Sequence, residues 1–123
     1  GGLLVQARDV VAEARMAWPC EGVKVVTKRA PTAEEWLALR FAWRVCAHVK
    51  SNTVLFADAG RTRAIGAGQM SRVDAVQVAT MKASAWKAVE RPLAGTVAAS
   101  DAFFPFRDGL DAVALAGATA VVH

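Results

Sequence analysis

The chain has 123 residues, 54% of them hydrophobic and 21% charged, enough for one domain with a real core and too few for two of ordinary size; that apolar share excludes intrinsic disorder. Fifteen Lys and Arg against eleven Asp and Glu give a formal charge of +4, which suits an anionic small molecule, and the scattered charge without interleaved aromatics argues against nucleic acid. No apolar run reaches the ~18 residues of a bilayer span and the first residues lack a signal peptide's basic flank, so a cytoplasmic chain with no membrane partner is expected.

Leu3-Leu4-Val5 reads as a short strand and Val10 to Ala17 as a helical turn or two before Pro19. Cys20 and Cys46 form neither a disulfide framework nor a Cys-x-x-Cys pair, so both are expected as reduced structural thiols, with no metal site. Val23 to Thr27 alternates and is β-branched, the pattern of a strand, and Pro31 closes the loop after it. Thr32 with Glu35 forms a T-x-x-E capping box. From it Trp36, Leu39, Trp43 and Cys46 fall at helical spacing, with Phe41 and Val45 widening the stripe, which predicts a helix to about Val49.

Thr53 to Ala57 and Arg61 to Ile65 predict a hairpin around Asp58-Ala59-Gly60. Ser71 followed by Asp74 predicts an N-cap, opening a helix through Val73, Val76, Thr80, Met81 and Trp86. Pro92 and Gly95 precede a strand at Thr96 to Ala99. Leu110 to Ala116 reads as a helix stopped by Gly117, and Thr119 to Val122 as a last strand. Alternating strands and helices predict a layered α/β domain. An ending directly after a strand predicts a truncated or shortened module.

Three clusters carry polar chemistry. In Ile65-Gly66-Ala67-Gly68-Gln69-Met70-Ser71-Arg72 the glycines permit close backbone approach, and the helix start beyond them aims N–H groups at the same space, an anion pocket. Arg72 in a first helical turn is electrostatically disfavoured and points to an external anion; the plainer reading is a strand-to-helix turn with a solvated arginine. Lys50-Ser51-Asn52 follows a helix end: Asn52 can donate and accept, suiting a carboxamide or hydroxyl, or it is a left-handed helix cap. His48, at the same helix end, reads as a surface residue and not as a catalyst. Ser100 to Asp108 sets three phenylalanines around Pro105. That is a stiff aromatic loop able to stack on a heterocycle, with Asp108 accepting from ring N–H groups, or else a hydrophobic plug with Asp108 as the next N-cap. Both readings can hold for different residues.

The stretches VVTKRAPT, FAWRVCAHVKSN, GAGQMSRVD, ASDAFFPFRDGLDA and AGATAVV resemble, in order, segments of the AICAR transformylase part of the bifunctional purine-biosynthesis enzymes. Those enzymes pass a formyl group from 10-formyltetrahydrofolate to aminoimidazole carboxamide ribonucleotide (AICAR). The resemblance implies a three-layer α/β cytidine-deaminase-like subdomain, the second of two, truncated at its C-terminal end and spanning residues 1–123. It implies that Asn52, Arg72 and Phe103 contact the ribonucleotide and that Val73 and Asp108 lie at the folate co-substrate, Asp108 bonding the pterin. The implied reaction is attack of an amine on the formyl carbon, helped by a proton acceptor and by oxyanion stabilisation. The family's catalytic lysine-histidine pair belongs to the first subdomain, so no catalytic residue is expected here. Two roles follow: half of a composite formyltransferase site, completed by the remainder of the enzyme, or an inactive nucleotide- or folate-binding or oligomerisation module. A homo-oligomer is expected in either case.

Overall fold

The computed structural model describes residues 1–86 and 89–123. A 3₁₀ turn, Ala12–Arg15, precedes α1 (Ala33–Cys46), the hairpin β1 (Val54–Asp58) and β2 (Arg61–Gly66), α2 (Arg72–Ser84), β3 (Val97–Ser100), α3 (Arg107–Ala116) and β4 (Ala120–Val122). The four strands form one mixed sheet in the order β2-β1-β3-β4. β1 runs antiparallel to both neighbours, and β3 and β4 are parallel.

Side chains alternate across a strand, so each central strand feeds two cores. Val54 and Phe56 of β1, with Ala98 of β3, pack among Ala75, Val76, Ala79 and Val113 of α2 and α3. Leu55 and Ala57, with Val97 and Ala99, face Ala38, Leu39, Ala42 and Cys46 of α1 on the opposite face. Burial on both faces explains why β1 and β3 read as continuous apolar runs. The result is α1, sheet, and α2 with α3, in three layers.

Local signals placed most elements. Thr32 accepts from the Glu35 N–H while Glu35 accepts from the Thr32 N–H, a complete capping box. Ser71 accepts from the Asp74 N–H, and the hairpin turns at Ala59-Gly60. α1 stops at Cys46, three residues early, and continues to Val49 through i+3 bonds from the His48 and Val49 N–H groups.

Two expected strands are absent from the sheet. Leu3, Leu4 and Val5 are exposed and irregular. Val23 to Thr27 also lies outside it: Val23 packs against the α1 core, but Val25 and Val26 are exposed. Alternation favours extended backbone, yet a ladder needs a partner, and neither segment has one among the described residues. α3 begins at Arg107, not Leu110, with Phe106 at the N-cap and no side-chain cap. Asp108 is therefore in its first turn, and the reading of Asp108 as N-cap fails. Among the described residues no helix is long and apolar enough to cross a membrane.

Candidate functional site

The strand register lines up one end of the sheet. Val54, which opens β1, pairs with Gly66 at the end of β2 and with Ser100 at the end of β3. β4 ends on the same side, Val122 pairing with Ala99. α2 and α3 start from this edge, so three polar clusters separated in sequence meet there. In open α/β sheets, ligands bind beyond the carboxyl ends of strands such as β3 and β4.

Gly66 makes the close packing possible. A Cβ there would lie 1.8 Å from the Ala75 carbonyl oxygen, so only glycine lets α2 approach β2 this closely. Past Gly66 the chain pairs back on the segment before β1: Gln69 and Asn52 exchange backbone hydrogen bonds, and the Gly68 N–H donates to the Lys50 carbonyl at 2.9 Å. Asn52, preceded by a cis peptide, has no left-handed backbone, which removes its reading as a helix cap. Its Nδ2 donates to the Gln69 and Met70 carbonyls at 3.0 and 3.1 Å, clamping the glycine-containing turn.

Arg72 reaches across the edge instead of standing in solvent. Its Nη1 donates to Asn52 Oδ1 at 3.0 Å, and its Nε is shared between Ser100 Oγ at 3.2 Å and the Ala102 carbonyl at 3.1 Å. Nη2 lies 3.7 Å from Asp101 Oδ1, with both side chains 16% exposed. Acceptors of its own chain offset the position of Arg72 in the first turn of α2, so that placement alone does not require an external anion. Asp101 accepts from the Thr53 N–H at 2.8 Å and from the Ser51 hydroxyl. Partial burial pushes the Asp101 pKa up, but the bonds from Ser51 and Thr53 and the nearby Arg72 guanidinium outweigh it and hold the carboxyl below its usual range.

Asn52 and Arg72, singled out from sequence, are therefore in direct contact. Phe103 follows Ala102, whose carbonyl Arg72 holds, and is 65% exposed. Phe104 turns inward onto the α2–α3 core and fills the space beside Gly109, where a Cβ would come within 2.7 Å of its ring. The loop is thus plug at Phe104 and open aromatic surface at Phe103. Val73 is half-buried beside Arg72. Asp108 is exposed and accepts from the Gly109 N–H at 2.7 Å; no hydrogen bond joins it to the Asn52–Arg72–Asp101 network. Asp101, Ser51 and Ser100 were not singled out. The available signal was a carboxylate directly after an apolar strand.

The two thiols are free, Cys46 being buried. Burial, with the Asp101 carboxylate nearby and Arg72 partly compensating, pushes the Cys46 thiol up to about 12, the behaviour of a structural cysteine.

A family model described as AICARFT/IMPCHase bienzyme matches residues 1–82. The bifunctional purine biosynthesis protein PurH of Myxococcus xanthus (strain DK1622) is 52% identical over 123 residues, all of this chain. The proteins of the same name from Chlorobium luteolum (strain DSM 273 / BCRC 81028 / 2530) and Chlorobium chlorochromatii (strain CaD3) are 54% and 53% identical over 122 residues, 99% of this chain. The chain spans 22% of the length of each of these relatives. With the glycine-containing turn lying inside the residues matched by the family model, and the similarity to these relatives spanning the length of the chain, the chain belongs to the AICARFT/IMPCHase bienzyme family.

Proposed function

We propose that this chain is one half of a composite formyltransferase site in purine biosynthesis, the second cytidine-deaminase-like subdomain of an AICAR transformylase domain. It binds and orients, and the remainder of the enzyme supplies the lysine-histidine pair that moves protons. In this reading Asn52, Arg72 and Phe103 hold the ribonucleotide, and Val73 and Asp108 border 10-formyltetrahydrofolate. Helices on both faces of a mixed sheet support the subdomain assignment, and the printed name of the relatives supports the pathway. A site assembled from two parts is consistent with a homo-oligomeric enzyme of the cytoplasm.

One observation carries the site reading. Asn52, Arg72, Ser100 and Asp101 interlock at the sheet edge where the N-termini of α2 and α3 open, and the exposed Phe103 ring stands at its rim. The interlock fixes polar groups in place before a ligand arrives, which lowers the ordering cost of binding. An exposed aromatic face beside fixed donors and acceptors suits a planar heterocycle carrying a carboxamide.

Calorimetric titration of the chain with AICAR and, separately, with a reduced folate tests this. AICAR binding is expected to weaken about tenfold in Phe103→Ala, where an aromatic contact is lost without touching the core. Folate binding should weaken similarly in Asp108→Ala, whose carboxylate is outside the interlock. Heat from neither ligand, with a folded protein, would mean that this segment does not carry its half of the site.

A further inference from the structure

We propose a second anion site, on the outer face of α1, that takes a small molecule bearing a diphosphate or triphosphate and an apolar or aromatic body. A groove of about 790 Å³ runs between α1 and the segment before it, lined by Arg8, Arg15, Arg40, Arg44 and His48 against a single carboxylate, Asp9. Most of the chain's formal +4 therefore gathers in one concavity. This corrects the impression of scattered charge, because the arginines come from two segments that only the fold brings together.

The groove is built and not incidental. Arg40, Arg44 and His48 recur every four residues and form one ridge of α1, and Phe41, Val45 and Val49 form the next. The opposite wall is held by named bonds. Arg40 donates through Nε to the Ala14 carbonyl at 2.9 Å and through Nη2 to the Arg15 carbonyl at 3.2 Å. Trp18 Nε1 donates to the Glu13 carbonyl at 2.8 Å, and Trp43 Nε1 to Glu13 Oε1 at 2.7 Å. Glu13 is thereby occupied by indole and does not line the groove.

The guanidiniums of Arg8, Arg15 and Arg44 are exposed and make no hydrogen bond or ion pair among the described residues. Like charges held around one space repel each other, and a multiply charged anion relieves that while forming forked guanidinium bonds. Val10, Val11, Phe41 and Val45 also line the space, so an apolar or aromatic body adds contact that inorganic phosphate lacks. The volume falls within the range of small-molecule sites, roughly 300–1,000 Å³. None of the lining residues belongs to the Asn52–Arg72–Asp101 network, so the two sites are testable apart.

The test is calorimetric titration of the chain with adenosine diphosphate and with inorganic pyrophosphate. Adenosine diphosphate is expected to bind more tightly than pyrophosphate. Arg44→Ala should weaken both about tenfold, and Arg15→Ala with Arg44→Ala should remove measurable binding. These side chains hold nothing in the fold, so the variants stay folded, as circular dichroism will verify. Arg91→Ala, an exposed arginine outside the groove, should leave affinity unchanged. No heat with either probe, an equal loss in Arg91→Ala, or a polyglutamate hexapeptide binding more tightly than adenosine diphosphate would each overturn the proposal.

Discussion

Asp101 helps to set the geometry of the strand edge beside Asn52 and Arg72. Its Oδ1 accepts from the N–H of Thr53, a residue with no exposed surface, and its Oδ2 accepts from Ser51. The same carboxylate balances Arg72. Removing it orphans a buried donor and leaves a mostly buried guanidinium without its counter-charge, two of the recognised routes to large destabilisation. Asp101→Ala should therefore lower unfolding free energy by about 2–4 kcal/mol, read from urea transitions. Asp101→Asn, which keeps an acceptor for Thr53 but not the charge, should lose less. Equal losses in both would assign the effect to charge alone. The partners explain why the residue was hard to see: Ser51 and Thr53 lie 50 and 48 positions away, and no local pattern in ASDAFFPFRD points back to them.

Among the elements, the seat of α2 on β2 rests on one missing methyl group. A Cβ at Gly66 would meet the Ala75 carbonyl oxygen at 1.8 Å and its carbon at 2.7 Å; both are backbone atoms that cannot rotate aside. Gly66→Ala must push the helix off the strand, at a cost of about 3 kcal/mol or more, and should loosen the Asn52–Arg72 contact that α2 presents. Gly60→Ala is the comparison: open space surrounds it, but its φ of +84° makes an alanine there cost about 1 kcal/mol. If the two variants unfold at the same urea concentration, close packing is not what Gly66 supplies. What sequence showed at this scale follows the range of the signal. Thr32 with Glu35, Ser71 with Asp74, and the turn at Gly60 act within four residues and were legible. The start of α3 was missed because Phe106 caps it without a side-chain bond. Val23 to Thr27 carried a strand pattern without a strand, since pairing depends on what lies beside it and not on its own alternation. Of the candidate site, Asn52 and Arg72 were legible as polar residues in glycine- and amide-rich clusters; their contact with each other, across 20 positions, was not.

At the scale of the whole molecule, one carboxylate ties the start of α1 to the far edge of the sheet. Glu35 accepts from Arg29 through both oxygens at 2.8 and 3.0 Å, from the Thr32 N–H at 2.8 Å, and from Thr119 Oγ1, just before β4, at 2.6 Å. Arg29 also donates to the Thr119 carbonyl, so the loop before α1, the helix and the β4 edge share one junction. The hydrogen bonds from Arg29 lower the Glu35 pKa most; burial opposes them, and Thr119, Thr32 and the Arg29 charge add to them, so it falls from the ordinary 4.5 to about 2. A carboxylate with a depressed folded-state pKa stabilises the fold fully above its unfolded value and loses that contribution as pH falls through the folded one. The contribution of Glu35 should therefore be constant at neutral pH and fade between about 4.5 and 2. Glu35→Gln keeps an acceptor for the Thr32 N–H, since glutamine serves in a capping box, but it cannot titrate. Urea midpoints measured from pH 7 to pH 2 should converge for the two proteins at the acid end, the parent being the more stable above pH 4.5. Parallel curves across the whole range would show that the acid sensitivity arises elsewhere, with Asp101 at the opposite end of β3 the next carboxylate to test in the same way.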